Sequence, residues 1–126
     1  WGVPAQPSAR GIVMQAFGDY AVVSHHEFPE CSLRVLRLEP AHEVAPHYHA
    51  HCTQSYLALD GSVEVQVGDV RTVLAPGQAL RVPTGQVHGI RPVGGPATVL
   101  SVSVPPLRAD DHFPIGAATG EVVSRE

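Results

Sequence analysis

The chain has 126 residues, of which 44% are hydrophobic and 16% charged, with a formal net charge of -4. That length accommodates one domain with its own core and excludes two, and the composition excludes a disordered chain. All eight basic residues are arginines scattered without a basic run, which argues against a nucleic-acid partner.

Residues 1–10 contain no apolar stretch of the kind a signal peptide carries. No apolar run approaches the roughly 20 residues that cross a bilayer. The expectation is a cytoplasmic protein with no membrane partner, in which Cys31 and Cys52 are free thiols. Twelve glycines and twelve prolines punctuate short apolar runs, as turn residues do.

Alternation with period two runs along most of the chain. Ile12 to Phe17 and Tyr20 to Ser24 are weak strand candidates. Leu33 to Leu38 is a strand with a mixed face. Ser62 to Val67 places valines on one side, and Val70 to Leu74, Ala79 to Val82 and Thr98 to Val104 follow the same style. Turn signals separate them at Gly18-Asp19, Asp60-Gly61, Gly68-Asp69, Pro76-Gly77 and Gly94-Gly95-Pro96. No window carries a capped helical stripe. About ten short strands in a chain of this length predict an all-β sandwich or small barrel. Residues 1–10 and roughly 105–126, divided from the barrel by Pro105-Pro106, read as peripheral arms.

The segment His47-Tyr48-His49-Ala50-His51 sets histidines at alternate positions. On an extended chain such positions share a face. Clustered imidazoles facing an interior need partners, because an unsatisfied buried polar group costs about 1–3 kcal/mol. A divalent metal supplies that partner, since neutral imidazole is its commonest nitrogen ligand. His51 extends the alternation, whereas His25, His26, His42 and His112 lack matched spacing and read as solvated.

The wider pattern resembles the two motifs of the cupin superfamily. The first is filled by His47, His49, Gln54 and Gly61, the second by Gly77, Pro83, Gly85 and His88. Seven of these eight positions carry the family's residue type; Gln54 stands where the family usually has Glu. The resemblance spans about residues 33–104 and implies a single domain over 1–126, an all-β cupin-type double-stranded β-helix, or jelly-roll barrel. It implies one divalent transition metal (Fe, Mn, Zn, Ni, Co or Cu) on His47, His49, Gln54 and His88. It also implies a homodimer, for which the run from Ile12 to Ser24 is a candidate edge. Gln54 marks either a degenerate site or a neutral amide-oxygen ligand. The intact histidines favour the ligand, and some cupin isomerases resemble this chain in having Gln there. Tyr56 shares the parity of Gln54 and is a candidate catalytic acid or hydrogen-bond donor.

Neutral ligands leave the ion its full charge, which suits stabilisation of an enolate or other oxyanion in an isomerisation, cyclisation or elimination of a small molecule. A three-histidine iron dioxygenase is the rival enzyme reading, and a non-catalytic small-ligand binder the third. The run Ala97 to Val104 carries no acid. This predicts an apolar pocket floored by Ile90, Leu100 and Val102, an arrangement that cupin-type polyketide cyclases resemble.

Overall fold

The alternation is realised as strands throughout the structure, a computed structural model that describes residues 12–16, as backbone, and 20–115. Among these residues there are nine strands and no helix: β1 Ile12–Ala16, β2 Ala21–Glu27, β3 Ser32–Leu38, β4 Val44–Tyr48, β5 Thr53–Val67, β6 Val70–Leu74, β7 Ala79–Val82, β8 His88–Val104 and β9 Phe113–Pro114. Consequently no helix of the described chain is long and apolar enough to cross a membrane. The expected arm over residues 1–10, the turn at Gly18-Asp19 and the end of the C-terminal arm from 116 lie outside the described residues.

Two strands organise the rest. β5 has 15 residues and β8 has 17, and they pair antiparallel over most of their length. Each bends midway. The first half of β5 lies between β7 and the second half of β8, which in turn pairs with β3; β2 and β1 complete that layer. The second half of β5 lies between β6 and the first half of β8, which pairs with β4, and β9 closes that layer. This is the jelly-roll architecture expected. The core fills the space between the layers, with Leu36, Leu38, Ala58, Val63, Val65 and Val99 fully buried.

The bends correct the sequence reading. Asp60-Gly61 and Gly94-Gly95-Pro96 do not reverse the chain; both lie inside strands. They face each other, because Asp60 pairs with Thr98 and Ser62 with Val93, so Gly61 alone stands opposite residues 94–97. Gly61 has φ 72°, and a Cβ there would clash with the Pro96 carbonyl oxygen. Glycine at this position lets both strands fold over together and pass from one layer to the other.

β2 pairs with β3 and β1 with β2 inside the chain, and β1 ends the described sheet, so its outer edge remains the candidate edge of that run. The C-terminal arm is not peripheral: Leu107, Asp111 and His112 are buried, and β9 pairs with β4.

Gly61 generates a direct test. Gly61→Ala meets both a backbone clash and a positive φ, whereas Gly94→Ala at φ 79° has nothing within 4 Å of the added Cβ. Chemical denaturation should show a loss of about 1 kcal/mol for Gly94→Ala, and a clearly larger loss, above about 2 kcal/mol, for Gly61→Ala. Equal losses would refute the close approach at the bend.

Candidate metal centre

Histidine 47 owes its direction to an irregularity in β4. Val44 and His47 are both buried although their positions have opposite parity, and the register against β8 shifts between them. Pro46 lies in that interval and has no N–H for a ladder. The bulge turns His47 inward, directly opposite His88 at the start of β8. Gly89 permits the approach: a Cβ there would lie 2.9 Å from the Val44 carbonyl oxygen. β4 ends at Tyr48, and His49 turns inward from the following loop, its carbonyl accepting the Gly85 N–H at 2.8 Å. Gln54 enters from β5, opposite Ser103 of β8 and Val82 of β7.

All four side chains are almost fully buried. Each imidazole donates its Nδ1–H to a backbone carbonyl: His47 to Ala45 at 2.7 Å, His88 to Gln86 at 2.9 Å, and His49 to Asp111. The carbonyls can only accept, so in the neutral rings the proton is on Nδ1 and the Nε2 lone pairs face inward. His47 Nε2 and His49 Nε2 stand 3.1 Å apart. Gln54 is oriented just as firmly. Its amide nitrogen donates to Ser103 Oγ at 3.0 Å, and its oxygen accepts the Tyr56 hydroxyl at 2.7 Å. That oxygen lies 3.0 Å from His88 Nε2. Ligand atoms of His47, His49 and His88 all fall within 4.8 Å of one another. Acceptor atoms facing acceptor atoms in a dry interior are mutually repulsive. A divalent cation relieves this, and the donor set fits one.

Protonation is suppressed at the same place. Burial, then the neighbouring His88, holds the His47 imidazole well below the ordinary histidine range. Burial is also the chief reason that His88 falls to about 4, with the charges of His49 and His112 acting in the same direction. The His47 and His88 rings are therefore neutral at physiological pH, the form a metal binds.

Two residues of the C-terminal segment join the centre, and spacing within the motifs could not disclose them. His112, expected in solvent, is buried and stacks on His47, with centroids 4.5 Å apart and planes at 22°. It is held there because β9 pairs with β4 and Phe113 stacks on Tyr48 at 5.1 Å. Asp111 is a clasp. Its carboxylate accepts the backbone N–H groups of Ala50 at 2.6 Å and His51 at 3.0 Å, while its backbone carbonyl orients His49. Cys52 is buried beside this clasp, grouped with His49 and Asp111. The Asp111 oxygens are already engaged with amides, so this second group reads as structural. His51 is exposed and does not follow His47 and His49 inward.

The expected pocket floor is corrected. In the second half of β8 the buried residues are Ala97, Val99, Ser101 and Ser103, while Leu100 and Val102 have the opposite parity and stand half-buried on the outer face. Ile90 is buried in the core cluster. The wall nearest the histidines is therefore hydroxylated, not apolar.

The fold and site define a small two-layered β-barrel protein with three imidazoles gathered inside it that could hold a metal. The cupin-domain profile matches residues 34–103, more than half of the chain. The chain belongs to the cupin family. Among curated proteins no relative is detected. Among solved structures, the protein TT1209 from Thermus thermophilus is similar at 28% identity and a TM-score of 0.68, covering 81% of this chain and 97% of that one. A Klebsiella pneumoniae protein with a double-stranded β-helix domain is similar at 25% identity and a TM-score of 0.67, with coverages of 83% and 92%. Oxalate decarboxylase from Lactobacillus farciminis shares the fold alone, at 17% identity and a TM-score of 0.72, covering 85% of this chain and 34% of that one.

Two outcomes are expected. An unfolded histidine protonates near pH 6.5, the folded His88 near 4. Between those values the unfolded chain binds more protons, so stability of metal-free protein is full above pH 6.5 and declines as pH falls toward 4. His88 alone accounts for roughly 3 kcal/mol. Calorimetry should show the melting temperature dropping across that window, and a flat profile would contradict the depressed value. Separately, Asp111→Ala removes the carboxylate from Ala50 and His51 and should weaken metal affinity about 10- to 100-fold in a chelator-competition titration; unchanged affinity would mean that the carboxylate's hold on the loop after His49 does not position that ring.

Proposed function

We propose that the protein is a metal-dependent enzyme acting on a small molecule, with one divalent transition metal held by His47, His49, His88 and the amide oxygen of Gln54. The observation that carries this reading is the convergence of buried acceptor atoms, His47 Nε2 on His49 Nε2 and Gln54 Oε1 on His88 Nε2, with every histidine proton directed outward. The proposed reaction is a non-redox isomerisation, cyclisation or elimination beside a carbonyl. The ion supplies Lewis acidity toward a developing oxyanion, undiluted because all four donors are neutral.

The chain's own residues do the positioning. Ser103 and Tyr56 hold opposite ends of the Gln54 amide, so that its oxygen faces the histidines. Tyr56 is the hydrogen-bond donor of the site, fully buried and within reach of the same oxygen. The two layers of the barrel exclude bulk water, which strengthens every electrostatic interaction inside. Assembly as a homodimer belongs to the same proposal. It is supported by Leu33, Val35, Leu57, Leu100 and Val102, which stand half-buried on one outer face.

Elemental analysis of untagged protein should find about one transition-metal ion per chain, as a four-ligand site requires, and the His47→Ala/His88→Ala variant should lose it. Gln54→Glu should bind metal at least as tightly yet turn over about 10²–10³-fold more slowly, because the added negative charge opposes the oxyanion. Turnover should persist under argon with zinc in the site. Activity confined to the iron form in air would replace this reading with an iron dioxygenase, and metal retained by the double variant would place the ion elsewhere.

A further inference from the structure

His47, His49, Gln54 and His88 are 0%, 2%, 1% and 2% exposed. Water barely touches them, so an organic molecule reaches their donor atoms only after a covering segment moves. Three of the four stand on β4, β5 and β8, which are tied to one another by ladders. Residues 111–115 supply none of the four donors and lie over two of them. The His112 ring is stacked on His47, and its centroid is 5.8 Å from that of His49. The Asp111 carbonyl accepts from His49 Nδ1.

This strap is attached as a separable piece. Upstream of it the chain is anchored at Leu107, which is buried and whose N–H donates to Ser32 Oγ at 2.9 Å. A turn follows, in which the Asp111 N–H donates to the Arg108 carbonyl at 3.0 Å. β9 then pairs with β4 at the end of the sheet over two residues, both exposed. Ile115, whose N–H donates to the Pro46 carbonyl at 3.2 Å, is 49% exposed. A segment that is held by hydrogen bonds and ring stacking at the surface opens at lower free energy than the core does. Its departure leaves the pairing of β4 with β8 and of β5 with β8 in place.

We infer that residues 111–115 form a gate, which swings about the turn at 108–111 and opens the histidine centre to ion and small-molecule ligand while the barrel stays folded. Closed, it covers His47 and orients His49; open, it uncovers both. Cys52 reports the movement. Its thiol is buried, and its sulfur lies with a ring nitrogen of His49 and a carboxylate oxygen of Asp111, all within 4.8 Å of one another. The strap therefore shields it, and opening exposes it. The identity of what enters rests on the proposed function; the movement rests on the burial and the attachments alone.

Alkylation of the unaltered, metal-free protein by iodoacetamide tests it, with Cys52 and Cys31 scored on separate peptides by mass spectrometry. In urea well below the unfolding midpoint, Cys52 should react at a rate nearly independent of urea, about tenfold or more above what global unfolding permits. Phe113→Ala removes the stack on Tyr48 and should raise that rate about 2- to 10-fold. Tyr48 and Phe113 are register partners, so a disulfide in Tyr48→Cys/Phe113→Cys should lower it about tenfold or more, reversibly on reduction. A Cys52 rate that tracks global unfolding in size and urea dependence, or that neither variant moves, would overturn the gate. The urea series needs no variant, so it decides even if one fails to fold. Zinc uptake by the oxidised variant should also be slower than by the unaltered protein, and equal uptake would overturn the strap as the route of entry. If the unaltered protein takes up no zinc while Cys52 still reports local opening, the proposed ion fails and the movement stands.

Discussion

Acceptor atoms are made to face one another inside this barrel, and the backbone compels them to do so. Ala45, Gln86 and Asp111 each present a carbonyl to an imidazole Nδ1–H. Each therefore turns an Nε2 lone pair inward, toward other acceptors. Ser103 and Tyr56 do the same for the oxygen of Gln54. Leaving a buried acceptor unsatisfied costs about 1–3 kcal/mol, so the arrangement is unfavourable for the apo-protein and rewarding for a cation. Metal affinity and folding are coupled through the same atoms.

The fold exists in a form that permits this convergence. Short hairpins would separate the ligands, whereas β5 and β8 each cross both layers and bring Gln54, His88, Ser101 and Ser103 into one interior. The bend at Gly61 against residues 94–97 is what lets them cross. Near that bend the inner face is aliphatic in both layers, with Ala58, Val63, Ala97 and Val99 buried; farther from it one layer turns polar at Gln54, Ser101 and Ser103 and the other at His47 and His88. The C-terminal segment then closes the polar end. Leu107 N–H donates to Ser32 Oγ at 2.9 Å, Asp111 clasps the loop after His49, and His112 covers His47.

The sequence disclosed what local rules encode. Alternation located β6 and β7 to the residue, and motif spacing selected His47, His49 and His88, which lie together. It failed where a residue's meaning comes from a distant strand. Gly61 has the signature of a turn and works as a bend, because its neighbour is Pro96 and not its own chain. Arg34 looked like half of a mixed face; only its register with Ser101 and Tyr56 puts it inside. Leu100 and Val102 were assigned inward on hydrophobicity, but their buried neighbours Ser101 and Ser103 show the opposite parity to be correct. Asp111 and His112 are some 60 residues from the motif they support, as the contact of Ala50 with Asp111 at a separation of 61 illustrates. No periodic signal reaches that far.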